Sequence, residues 1–172
     1  MNLEYFHMVD RIAALDVGKG TITVEAQVPK ASTVFEGHFP GYPLMPGVLL
    51  VEAMAQSSGW LIIALQKFER MPFLAAVKEA KMRNFVTPGE LMTIDVRMTH
   101  DGSGFAITDA TIRIAGKLTC NAQLTFRHVP FPNPDLRGHM ETMAKRIGYP
   151  HHAAMPQDAT AQAPLQQAEL NG

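Results

Sequence analysis

The sequence predicts an α+β domain in which antiparallel strands enclose one long apolar helix. Three observations carry that expectation. Residues 20–28, "GTITVEAQV", put Ile22, Val24, Ala26 and Val28 on one side and Thr21, Thr23, Glu25 and Gln27 on the other, the period of a half-buried strand. Gly47 to about Gln66 is apolar on nearly every side of a helix, and such a helix needs cover all round. Beyond it, Met92, Ile94, Val96 and Met98 alternate with Thr93, Asp95, Arg97 and Thr99, and Leu118, Cys120, Ala122, Leu124 and Phe126 repeat the pattern. An antiparallel sheet curled around the helix supplies part of the cover, and a second copy of the chain supplies the rest.

The remaining elements follow in order. Residues 9–15, "VDRIAAL", pair with the first strand through the turn "DVGKG". Prolines and glycines crowd the loop from Pro29 to Pro46, and residues 72–87 read as extended. "HDGSG" at 100–104 has the composition of a hairpin turn. Between 105 and 114, Phe105 and Ile107 share one parity while Ala110, Ile112 and Ile114 share the other, which predicts a β-bulge at Thr108–Asp109. Gly116–Lys117 makes the next turn, and the prolines of "HVPFPNPD" end the last strand. Residues 135–147 suit a short helix, and the sequence after Tyr149 is a low-complexity run of Ala, Gln and Pro. The expected division is a domain at 1–129 and an extension at 130–172.

Composition narrows the function classes. A chain of 172 residues, 47% hydrophobic, can bury a core as one domain. A net charge of −1 creates no field that draws in nucleic acid. Cys120 is the only cysteine, so no internal disulfide forms, and its apolar parity marks a core thiol rather than a nucleophile. "MNLEYFHMVDR" lacks the pattern of a signal peptide, so the cytoplasm is the expected compartment. Val48–Leu65 approaches the length of a membrane span, yet Glu52, Gln56, Ser57, Ser58 and Gly59 favour a core helix. His151 and His152 have no carboxylate or cysteine at ligand spacing, so no metal site is expected.

Chemistry concentrates in "EGHFPGYPLMPGVLLVEAMAQ", residues 36–56. Pro40, Pro43 and Pro46 stiffen the loop that carries His38, and neutral imidazole is the usual base near physiological pH. Glu52 stands alone in an apolar helix with Gln56 four residues on, hence on the same face. A carboxyl shielded from water favours its neutral form and can act as a general acid. Pro46–Gly47 opens the helix, whose first N–H groups lack internal partners and suit an oxyanion. A base, a shielded acid and an oxyanion site suit elimination of water from a 3-hydroxyacyl thioester.

"GHFPGYPLMPGVLLVEAMAQ" resembles the signature of the 3-hydroxyacyl-[acyl-carrier-protein] dehydratases of the FabZ type. The likeness continues through "FLAAVKEAKMRNFVTPGELMTIDV" to about Arg127. It implies a hot-dog fold and a homodimer, often built into a trimer of dimers, with His38 of one chain meeting Glu52 of the other. The resemblance puts the base on His38, the acid on Glu52, the histidine-orienting carbonyl on Leu44 and the oxyanion-binding amide on Gly47. Apart from the resemblance, Gln56 beside Glu52 either completes a polar strip or orients the carboxyl group. Glu rather than Asp at 52 favours dehydration without isomerisation. No cofactor is implied, because the substrate arrives on the phosphopantetheine arm of acyl carrier protein.

The family's longer "PHRYPFLLVDR"-like start is shortened here to "MNLEYFHMVDR", leaving Tyr5 and Phe6 as stand-ins for its tunnel-gating aromatics. That start and the extra tail resemble a branch that serves long acyl chains for lipid A. Met54, Trp60, Phe73 and Phe85 are the expected tunnel lining, and Lys78, Lys81 and Arg83 the expected docking site for the acidic carrier. The alternatives are a hot-dog thioesterase and a non-catalytic acyl-binding subunit of a heteromeric dehydratase.

Overall fold

The structure, a computed structural model, describes residues 1–150. The low-complexity run with His151 and His152 lies outside the described residues. Six strands form one sheet: β1 (Arg11–Asp16), β2 (Thr21–Gln27), β3 (Arg70–Met82), β4 (Leu91–Gly102), β5 (Phe105–Ile114) and β6 (Lys117–Pro130). Among the described residues three helices accompany them: α1 (Thr33–Gly37), α2 (Gly47–Leu65) and α3 (Pro134–Arg146). The strand order is β1-β2-β4-β5-β6-β3, antiparallel throughout, with β1 and β3 as open edges.

The period-2 runs become strands whose buried parity faces α2. Ile22, Val24 and Ala26 of β2, Met92, Ile94 and Val96 of β4, and Cys120, Ala122, Leu124 and Phe126 of β6 are all buried. α2 packs against β2 through β6, and Ala53, Met54, Leu61 and Ile62 are fully enclosed. Its inner serines are satisfied: Ser57 Oγ donates to Ala53 O at 2.8 Å, and Thr108 Oγ1 donates to Ser58 Oγ at 2.9 Å. α2 is long and apolar enough to cross a membrane, but this packing makes it a core helix.

Two local expectations are corrected. β5 runs without a bulge at Thr108–Asp109. Thr108 keeps the buried parity, because Ser58 partners its hydroxyl, and Phe105 and Ile107 take the outer face. The register shift lies across the ladder, between Met98 and His100 of β4. Likewise the loop from Pro29 to Pro46 contains α1, capped by Ser32, whose Oγ accepts from Val34 N at 3.1 Å.

The end of the described chain joins the core. Ala144, Ile147 and Tyr149 are buried, and Ile12 N donates to Ile147 O at 2.8 Å. At the other side, β3 is an uncovered edge from Phe73 to Met82, every residue there being exposed.

Candidate active site

His38 follows α1 directly, its N–H donating to Val34 O at 3.0 Å. The loop then folds back on itself: Leu44 N donates to His38 O at 2.8 Å, and Gly41 takes a positive φ of 76° at the tip, where glycine carries no steric cost. The His38–Phe39 peptide is cis, and the Phe39 ring stacks on the imidazole. His38 Nδ1 lies 3.0 Å from Leu44 O. A carbonyl oxygen only accepts, so in the neutral ring Nδ1 carries the hydrogen and Nε2 keeps the lone pair.

Met45 N donates to Val86 O at 2.8 Å, which fixes where α2 begins. Pro46 is its N-cap and offers no side-chain bond. The first helical bonds are made by Leu49 and Leu50 to Pro46 O, so the Gly47 N–H precedes them and points ahead of the helix. A Cβ at position 47 would come 3.4 Å from Met82 Cε.

Glu52 and Gln56 lie one turn apart, both half-buried. Gln56 Nε2 donates to Glu52 Oε1 at 2.9 Å and to Phe6 O at 2.7 Å, while its Oε1 accepts from Met8 N at 3.1 Å. Both side chains face a cavity of about 370 Å³. α2 supplies one wall with Glu52, Ala55, Gln56, Gly59, Trp60 and Ile63, positions that share a helical face. The N-terminal segment supplies Tyr5, Phe6 and His7; β3 supplies Met71 to Leu74; β6 supplies Phe126. Burial first, then Arg146 and His139, lowers the His7 pKa.

The expected residues divide. Glu52, Gln56, Trp60 and Phe73 share this cavity, and Tyr5 and Phe6 stand at its surface. Met54 is fully enclosed in the core and Phe85 is 73% exposed; neither lines it. His38 of the same chain does not line it either. Lys78, Lys81 and Arg83 are exposed, with Arg83 reaching Lys81 O and Asn121 Oδ1. Three lining residues on α3, His139, Met140 and Met143, and its C-cap Ile147 had a signal: an apolar stripe in "HMETMAKRI". His7 and Phe126 had none beyond their strand or loop context.

An open antiparallel sheet curled around one buried helix is the architecture of the hot-dog proteins. A conserved protein from Pseudomonas aeruginosa superposes with a TM-score of 0.58 at 22% identity, over 73% of this chain and 93% of that one. A hypothetical thioesterase with coenzyme A from Streptococcus pneumoniae gives 0.58 at 16% identity, over 76% and 99%. These likenesses speak for the fold alone. The sequence profile of the FabA-like domain matches residues 1–123. The chain is 37% identical over 119 residues to the 3-hydroxyacyl-[acyl-carrier-protein] dehydratase FabZ of Levilactobacillus brevis, covering 69% of this chain and 80% of that protein. It is 34% identical over 120 residues to the protein of the same name from Clostridium acetobutylicum, covering 69% and 84%. The chain belongs to the FabA-like family and, within it, to the FabZ type.

Proposed function

We propose that this protein dehydrates 3-hydroxyacyl-[acyl-carrier-protein] to the trans-2-enoyl form in fatty acid biosynthesis. The observation that carries this reading is the 3.0 Å bond between His38 Nδ1 and Leu44 O, which holds the imidazole as a base with Nε2 free. Nε2 takes the proton from C2 of the acyl chain. The Gly47 N–H receives the developing enolate oxygen. The Glu52 carboxyl gives its proton to the 3-hydroxyl as the C3–O bond breaks and the C2–C3 double bond forms, so water leaves. With Oε1 held by Gln56, Oε2 is the oxygen that carries this proton.

The Glu52 cavity is not lined by the His38 of its own chain, which supports a site completed by a second copy. The uncovered edge of β3 supports a homodimer: Phe73, Leu74, Val77 and Met82 are all more than 40% exposed there, and an apolar open edge invites a partner. Lys78, Lys81 and Arg83 offer positive charge to the acidic carrier protein. The mechanism uses protein groups alone, with the acyl chain delivered on the carrier's phosphopantetheine arm, and a soluble carrier puts the reaction in the cytoplasm.

The test is incubation of the full chain with 3-hydroxyacyl-carrier-protein while the conjugated enoyl thioester absorbance is followed. Enoyl product with a retained thioester is expected. Free fatty acid without enoyl product would identify a thioesterase instead, and a chain inactive alone but active with a paralogue would identify a binding subunit.

A further inference from the structure

α3 is built to stay in place. Asn133 caps it by accepting from Leu136 N at 2.8 Å, Pro134 occupies its first turn, and Lys145 and Arg146 complement the dipole of its last turn. It stops at Gly148, φ 73°, with Gly148 N donating to Lys145 O and Tyr149 N to Ala144 O, the paired bonds of a Schellman ending. Tyr149 then packs against Trp60, with ring centroids 6.2 Å apart, and edge-on against Phe68 at 5.4 Å. Arg146 Nη1 donates to Nδ1 of His7, a residue that lines the cavity, at 3.1 Å.

This anchoring sets the level at which α3 meets the cavity. Trp60 lies eight residues beyond Glu52 on α2, about 12 Å at 1.5 Å per residue. Tyr149, just after α3, is tied to Trp60, and Met143 and Ile147 line the same cavity as the carboxyl. Met140 and Met143 stand three apart on the inward face. α3 lies wholly beyond residues 1–123, the extent of the FabA-like domain. Its wall is therefore built by residues outside the matched part of that domain.

We propose that α3 measures the acyl chain, with Met140 and Met143 setting the longest 3-hydroxyacyl tail the cavity accepts. The inference rests on the dehydratase reading above. A tail entering past Glu52 runs along the α2 face toward Trp60 and meets the two thioethers there. Methionine side chains are flexible and polarizable, so they close on an apolar chain of fitting length. Each methylene buried against them raises kcat/KM by about fourfold, and one too many meets the wall and lowers it.

The experiment is a ladder of 3-hydroxyacyl-carrier-protein substrates of increasing chain length, read as the ratio of kcat/KM for long over short chains. Met140→Ala and Met143→Ala should raise that ratio by about tenfold or more, the scale of methylene discrimination in a pocket, and Met143→Trp should lower it. The ratio is independent of how much enzyme is folded, so a general loss of activity cannot imitate the shift. Lys145→Ala, on the solvent side of α3, should leave the ratio in place. An unchanged ratio in all three methionine variants, or an equal shift in Lys145→Ala, overturns the proposal. If the wild-type chain dehydrates no substrate, the dehydratase reading fails separately, and the ladder is then read as displacement of a fluorescent fatty acid by fatty acids of graded length. A longer preferred length in Met143→Ala upholds the role of α3, and no change removes it.

Discussion

His38 and Leu44 hold each other twice: Nδ1 of the imidazole bonds to Leu44 O at 3.0 Å, and Leu44 N bonds back to His38 O at 2.8 Å. The five residues between them are thereby closed into a rigid loop, and the ring is presented with one nitrogen already committed. An imidazole held this way needs no reorganisation before it acts.

His38→Ala should therefore lose about 10²- to 10⁴-fold in dehydration rate, the usual range for a general base. Glu52→Gln should lose a comparable amount while keeping its bond with Gln56. If the site spans two copies, mixing the two variants under conditions of subunit exchange restores measurable enoyl formation through hybrid dimers. Absent recovery after verified exchange would contradict a shared site.

Gln56 joins Glu52 to the backbone of Phe6 and Met8. Gln56→Ala should leave the Met8 N–H without its acceptor, at a cost of about 1–3 kcal/mol for a buried unpaired group. Denaturant unfolding measures that loss. Faster hydrogen exchange at the Met8 amide, together with a lower kcat, would show that the clamp positions both the carboxyl and the N-terminal segment.

His128 is 6% exposed, with its Nδ1 3.8 Å from Asp101 Oδ1. Burial, the main cause, and Arg70 lower its pKa from the ordinary 6.5, against the opposing pull of Asp101. The unfolded chain thus binds this proton at a higher pH than the native one. Stability should fall as pH drops from about 6.5 toward the native value, and should be insensitive to this group above 6.5. His128→Leu should flatten that slope in melting temperature against pH. A variant with the same slope as wild type would exclude His128 as its source.

Tyr149 is buried, its hydroxyl finds no partner among the described residues, and burial pushes its pKa up to about 12. Tyr149→Phe keeps both aromatic contacts and removes the unpaired group, so it should raise stability by about 1 kcal/mol. Tyr149→Ala should lose about 3–5 kcal/mol and loosen α3. Thermal unfolding of both variants separates the two effects, and a destabilised Tyr149→Phe would point to a hydroxyl that is satisfied in solution.

Much of this was visible in the residues themselves. The alternation in "GTITVEAQV" and "LMTIDVRMT" becomes β2 and β4, because a strand with one buried face writes its period directly into the chain. α2 was equally plain. β5 departs from its sequence pattern because Thr108, a polar residue, holds a core position that only its partner Ser58 explains. α1 escaped notice because five residues carry too little pattern.

The order and type of the main elements and the all-round cover demanded by α2 were determined by the sequence alone. Periodicity and loop chemistry act between near neighbours, so one chain read end to end contains them. The tertiary structure decided which groups share a cavity: that Gln56 reaches Phe6 across fifty positions, that α3 walls the same space as Glu52, and that His38 lies outside it. Such meetings depend on packing between distant segments, where no local pattern records the partner.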